Sequence, residues 1–246
     1  MEANALERPG CHLVLRPAAQ RARTDRGWMH SHHSLTADGA GLARGLGPLR
    51  LFDEHLIAPG EGRGAHLHQD VEILVWVLEG ALEHQDSGGN LVVLEAGELG
   101  RLRAGHGVRH SEYNASDRAP LHLLEFWVQP ALRGLDPDFE RRRFEPRERR
   151  GMLRLIASED GSDASVQVEQ QLRIHAGLFA APERTEFVAA PGRSYYAHCA
   201  RGALEVNGCA LDAGDALELR GIDRIGIAGT RPDTDGELLL LELPGE

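Results

Sequence analysis

The sequence predicts an all-β protein in which one antiparallel sandwich or barrel plan is used twice. Three observations carry that expectation. Short runs rich in Val, Ile, Leu and Trp recur along the chain, punctuated by glycine turns, as in folds made of many short antiparallel strands. Leu78-Glu79-Gly80-Ala81-Leu82-Glu83 resembles Ala200-Arg201-Gly202-Ala203-Leu204-Glu205, and Glu95-Ala96-Gly97-Glu98 resembles Asp212-Ala213-Gly214-Asp215, so the halves repeat one plan. Between them, residues 132–150 break the β rhythm with arginines, acidic residues, Pro137 and Pro146.

Residues 1–47 read as polar and irregular, with one candidate strand at 12–15 and a polar loop at His30-Ser31-His32-His33, a contribution to the mouth of a pocket being the alternative. The first clear strand, 49–58, ends at Pro59-Gly60, and the next, 72–78, stops at Glu79-Gly80. Residues 81–85 and 91–94 pair through a Ser87-Gly88-Gly89-Asn90 hairpin, followed by strands at 99–102 and 121–128. Residues 138–143 suggest a short helix in a linker whose arginines form a solvated, salt-bridged face. The β pattern returns at 152–157, 166–174, 185–188 and 194–200. It continues through 202–208, ending in an Asn207-Gly208 hairpin, then 213–219 and 237–243. The expected organisation is an N-terminal metal-binding domain at 1–135, a short helical or irregular linker at 136–150, and a C-terminal domain without metal ligands at 151–246.

Composition narrows the function classes. A formal charge of -11 over 246 residues argues against direct nucleic-acid binding and against an anionic membrane surface. No apolar run is long enough to span a bilayer, and the N-terminus lacks the pattern of a signal peptide. Cys11, Cys199 and Cys209 are odd in number and lack a CxxC spacing, so a disulfide framework is not expected. These features suggest a reduced, cytoplasmic protein.

The chemistry concentrates in residues 60–114. His66-x-His68 and His110-x-Glu112 each place two metal-ligand types at i, i+2, which on a strand puts both side chains on one face. If the two strands face one another inside a barrel, the four converge. Three imidazoles and one carboxylate suit a borderline divalent ion with open positions, such as Fe(II), Ni(II), Mn(II) or Cu(II). His-x-His alone is weak evidence: with 13 histidines in the chain, about one such pair arises from composition. The alternative is a metal-free hydrogen-bonded network lining the barrel. Where the first half has His66-x-His68, the second has Pro191-Gly192-Arg193-Ser194-Tyr195-Tyr196, so the second half is expected to be structural.

Taken together these residues resemble the cupin superfamily. Gly60, His66, His68, Glu72 and Gly80 meet its first motif, and Gly97-Glu98, Gly107, His110 and Asn114 meet its second. More narrowly, His68-Gln69-Asp70-Val71-Glu72-Ile73-Leu74, Leu82-Glu83-His84-Gln85-Asp86-Ser87 and residues 104–114 resemble the pirin and pirin-like bicupins. The match is dense over residues 47–145 and thinner beyond. The resemblance implies two tandem cupin-type β-barrels with antiparallel jelly-roll sheets, and His66, His68, His110 and Glu112 as metal ligands of the first. It implies a divalent metal, iron first, with Ni, Mn, Cu, Co and Zn as alternatives. It also implies quercetin 2,3-dioxygenase activity for some members and a nuclear transcription-cofactor role for eukaryotic ones, which this acidic chain does not support.

The chain departs from the family at Arg63 (usually aromatic), Leu67 (usually proline), His106 (usually Ser or Thr) and residues 34–41, which replace an aromatic-rich segment. Glu112 is the expected catalytic base, taking the 3-hydroxyl proton of a flavonol. His106 is expected in the second shell and Arg63 near the mouth, favouring an anionic substrate. Glu72 reads as structural or second-shell, His84 and His122 as ordinary strand histidines, and Trp76 and Trp127 as core. The expected function is a metal-dependent dioxygenase with O2 and a small-molecule flavonol, enol or catechol as partners. The alternative is a metal-containing, redox-sensing module acting through a protein partner.

Overall fold

The structure is a computed structural model that describes residues 11–36 and 45–245; residues 37–41 of the departure at 34–41 lie outside them. Its strands form four antiparallel sheets, two in each of two compact units. The first unit comprises residues 21–144 and 159–171. The second comprises the described part of 1–20, with 145–158 and 172–246. The chain is therefore not cut once at a linker. Strand β1 (His12–Arg16) pairs with a strand near the C-terminus, and residues 159–171 join the first unit.

In the first unit, β2 (Ala22–Asp25), β3 (Met29–Leu35), β4 (Leu49–Ile57), β5 (Gly62–His68), β6 (Glu72–Glu79) and β7 (Ala81–Asp86) come first in chain order. They are followed by β8 (Leu91–Glu95), β9 (Glu98–Arg103), β10 (Val108–Asn114), β11 (Leu121–Val128) and β12 (Asp138–Arg143). One sheet has the order β12-β9-β6-β11-β4-β3-β2 and the other β5-β10-β7-β8. Their facing sides bury Ile57, Ile73, Val75, Leu82, Leu102 and Leu123, each worth about 1.5–3 kcal/mol against exposure. Strand β6 is buried on both faces, because its other side carries Trp76 against Phe144, ring centroids 6.3 Å apart.

The structure departs from three local expectations. Residues 30–33 form part of β3, not a loop: Met29, Ser31 and Leu35 point inward, while His33 bonds Asp53 at 2.9 Å. Polar side chains with buried partners hide a strand from a hydrophobic count. Residues 138–143 are strand β12, not a helix, in full register with β9. Phe139, Arg141 and Arg143 share one face of the strand: Phe139 stacks on His84, and the two arginines reach Glu98 and Glu95. The short helix follows as α1 (Pro146–Arg149), with proline in its first turn. Its Arg149 is buried against Glu237 at 2.9 Å, not solvated.

In the second unit, α1 is followed by β13 (Arg154–Ser158); β14 (Val166–Gln167) lies in the segment that belongs to the first. Then come β15 (Arg173–Phe179), β16 (Arg184–Val188), β17 (Ser194–Arg201), β18 (Ala203–Val206) and β19 (Cys209–Asp212). β20 (Ala216–Arg220), β21 (Arg224–Gly229) and β22 (Gly236–Leu243) complete it. The order β1-β20-β17-β22-β15-β13 faces β16-β21-β18-β19 around Tyr195, Leu217, Leu219, Ile225, Leu238 and Leu240. The Asn207-Gly208 turn between β18 and β19 has both φ values positive, 48° and 79°, as a two-residue hairpin requires.

In the first unit, Glu54 accepts hydrogen bonds from His122 at 2.7 Å and Arg21 at 2.6 Å. Burial would raise its pKa, but these partners outweigh it and hold the carboxyl down to about 2. A depressed folded-state pKa stabilises the fold above the unfolded value of 4.5, and the contribution is lost as pH falls toward about 2. Urea midpoints of the wild type and Glu54→Gln should therefore differ by a constant amount at neutral pH and converge over that acid window. A gap that does not narrow on acidification contradicts the assignment.

Candidate metal centre

Strand β10 lies between β5 and β7, and alternation along it turns Val108, His110, Glu112 and Asn114 inward. His110 sits opposite His66 in register, and Val108 opposite His68. Between His110 and Glu112 the register slips: Glu112 faces Arg63, three residues before His66. Strand β5 thus carries a bulge at Gly64-Ala65, which brings Arg63 opposite Glu112 despite its odd spacing from His66. Gly62 completes this close approach, since a Cβ there would collide with the Glu112 carbonyl and with Tyr113. Asn114 pins the end of β10, its amide donating to the carbonyls of Ile57, Ala58 and Ala119.

The side chains of His66, His68 and His110 converge, with one ligand atom from each lying within 4.8 Å of the others. Their ring centroids stand 4.5 to 5.0 Å apart. The Nδ1–H of His66 donates to the Gly64 carbonyl at 2.8 Å, which fixes the tautomer and leaves Nε2 free to ligate. His110 is 2% exposed and neither ring nitrogen has a hydrogen-bond partner. A buried imidazole with both nitrogens orphaned is costly, and a divalent ion is the partner such a donor set fits. Glu112 Oε1 lies 3.8 Å from His110 Nδ1. Glu112 also belongs to a second cluster, with His110 and His84, at the same 4.8 Å spacing. The expected four-ligand set is thus spread over two clusters that share His110.

Electrostatics follow from burial. Desolvation, then the neighbouring imidazoles, lower the pKa of His110 to about 3, and burial with His66 lowers that of His68 to about 4. Burial and the charge of Glu125 push Glu112 up to about 8, against the pull of Arg63. Glu125 is buried too, yet its carboxyl is held well below the usual range by Arg63, His55 and Trp127. Arg63 Nη1 donates to it at 2.8 Å, His55 Nε2 at 2.8 Å and Trp127 Nε1 at 2.7 Å. Of two adjacent carboxyls, one keeps its proton and the other its charge.

Trp127 also meets His68 edge-on, with centroids 5.0 Å apart. With Trp28, Met29, Arg63 and Glu125 it lines a cavity of about 470 Å³, within the range of small-molecule sites. Trp127 is therefore a cavity wall, not only core. Trp76 is fully buried core as expected. His84, read from sequence as an ordinary strand histidine, is buried in the cluster, its ring 5.5 Å from that of His110. His106 is not a neighbour of the cluster's ligand atoms: its side chain is 61% exposed and 3.5 Å from Asp136, because its turn directs it to solvent. Glu72 Oε2 accepts the Glu169 backbone N–H at 2.8 Å, and burial raises its pKa to about 7. Among the residues that sequence reasoning missed, Glu125 and His55 carry no motif; only burial of charged types inside strands marks them.

Two family profiles match the chain: Pirin over residues 17–128 and Quercetinase C-terminal cupin domain over residues 155–243. The chain is similar to quercetin 2,3-dioxygenase of Escherichia coli, 34% identical over 234 residues that cover 94% of this chain and 99% of that protein. Among solved structures it is similar to YhhW from Escherichia coli, with a TM-score of 0.88 and 34% identity over 95% of this chain and 98% of that one. It is also similar to bacterial pirin YhhW in complex with nickel(II), with a TM-score of 0.86 and 33% identity over 95% and 100% of the two chains. Both halves are thus cupin-type, as the resemblance implied.

In the metal-free protein, the imidazoles of His68 and His110 should stay neutral until the pH falls to about 4 and about 3, respectively, while Glu112 keeps its proton up to about pH 8. The signs follow from burial, which disfavours the charged form of each group. Long-range proton–nitrogen correlation spectra across an acid titration report the imidazole states. An imidazolium signal from either histidine near pH 6, close to the unperturbed pKa, contradicts the arrangement.

Proposed function

The chain belongs to the pirin family, and on that premise we propose that it is a metal-dependent dioxygenase. The proposed substrate is a flavonol such as quercetin, or a related chelating enol or catechol. The ligands are His66, His68, His110 and Glu112, and the ion is Fe(II). The observation that carries this reading is the buried, doubly orphaned His110 ring facing two further imidazoles and a carboxyl. The relative in complex with nickel(II) supports a divalent ion.

Bound there, the ion supplies Lewis-acid and template chemistry for an oxygen-chelating substrate and O2. The protein's own groups do the rest. Glu112 keeps a proton while the centre is metal-free, and gives it up beside a cation, which inverts the local preference. As a carboxylate it accepts the proton of the substrate hydroxyl. Trp28 and Trp127 offer flat walls to an aromatic ring, and Trp127 links that cavity to the histidine cluster through His68. Arg63 adds hydrogen-bond donors at the same wall, though Glu125 already balances its charge. This favours a polar aromatic substrate over one selected by charge alone. No helix among the described residues is long and apolar enough to cross a membrane.

The test is anaerobic incubation of the iron-loaded protein with quercetin, followed by oxygen. Loss of the flavonol absorption band with release of carbon monoxide is expected; an unchanged band and no carbon monoxide exclude flavonols. Independently, His66→Ala and Glu112→Ala should each weaken metal retention by at least about tenfold, measured by elemental analysis, with the β-type circular dichroism intact. Full occupancy in both variants overturns the ligand assignment.

A further inference from the structure

We infer that His84 is a metal ligand through Nδ1, completing an inner set with His110 and Glu112, so that one ion is offered two overlapping ligand sets that share His110. The inference rests on the proposed metal centre and extends it to a residue outside the four-ligand motif. The geometry is built on strand β10. Across its pairing with β5, His110 faces His66; across its pairing with β7, Glu112 faces His84. One ligand atom each of His84, His110 and Glu112 lies within 4.8 Å of the others, and all three residues are buried.

His84 also has the surroundings that ligating histidines need. Its Nε2–H donates to Asp86 Oδ2 at 3.1 Å, which fixes the tautomer and leaves the Nδ1 lone pair available. Phe139 stacks on the ring at a centroid distance of 4.3 Å and an interplanar angle of 17°, holding its plane. A purely structural reading would make His84 a tie for the β7–β8 hairpin. Asp86 does not need it for that purpose: it already accepts from the backbone of Gly88 at 2.9 Å and of Asn90 at 3.1 Å, and from the Asn90 side chain at 2.9 Å. A void of about 10 Å³ opens against both His84 and Glu112, otherwise walled by Ile73, Val75, Leu82 and other apolar side chains. His110 does not line it, so this space adjoins the three ligand atoms and has room for about one water.

The outer set, by contrast, uses the half-exposed His66 and His68 on β5. An ion held by the inner set is shielded from the cavity, whereas one held by the outer set lies next to Trp127 and the cavity it lines. His110 belongs to both sets.

The test titrates metal-free protein with Co(II), following the visible ligand-field band and bound stoichiometry in three proteins. These are the wild type, His66→Gln/His68→Gln, and the same double variant with His84→Gln added. Glutamine retains a donor for Asp86, so the hairpin is preserved. The double variant should still bind one equivalent, and the triple variant should bind at least about tenfold more weakly than the double. Equal binding by double and triple variants, or none by the double while the wild type binds, overturns the inner set and leaves the outer one standing. A wild type that binds no Co(II) overturns the metal centre itself. If the triple variant loses its β-type circular dichroism, pulsed electron paramagnetic resonance of the Cu(II)-loaded double variant decides. Two coordinated imidazoles support His84 as a ligand, and one overturns it.

Discussion

The pairing of β10 with β5 and β7 is the constraint on which the candidate centre depends. Alternation alone puts His110 and Glu112 on the inner face of β10. What each of them meets there is set by its neighbours across the sheet: His66 on one side, His84 on the other. The bulge at Gly64-Ala65 and the small Gly62 let Arg63 come up opposite Glu112. A one-residue slip in either ladder would turn the ligand types outward and leave an ordinary β-sandwich.

A second theme is the handling of charge in a buried place. Glu112 and Glu125 lie close together in the barrel, and two anions there would repel strongly. The fold resolves this asymmetrically. Glu125 receives Arg63, His55 and the Trp127 indole and remains charged. Glu112, with fewer partners, keeps its proton until a cation arrives. The second unit repeats the strand plan around an apolar core, and both clusters of metal-ligand types found among the described residues lie in the first. One scaffold used twice thus carries clustered metal-ligand types, among the described residues, in only one copy.

Much of this was legible from residue order. Glycine-bounded apolar runs at 49–58, 72–78, 81–85 and 121–128 became β4, β6, β7 and β11 with little change in their limits. The i, i+2 spacing of His66, His68, His110 and Glu112 was enough to select the strands that matter. Where the reading failed, the cause was specific. Strand β3 hides its inward face behind Ser31 and a paired His33, and β12 disguises itself as a charged linker because Phe139 is its one apolar side chain and shares its face with Arg141 and Arg143. His106 shares a motif with His110 but sits in a turn that faces solvent.

The sequence by itself determined the all-β class, the doubling of the plan and the pair of ligand-bearing strands, because period-two alternation and turn residues act locally. Only the tertiary structure decided that His84, Glu125 and His55 join the centre, that Trp127 walls a cavity, and that β1 and residues 159–171 belong with the opposite half. Those outcomes depend on register, bulges and burial between segments far apart in the chain, and no local pattern of residue types records which distant partner a strand will meet.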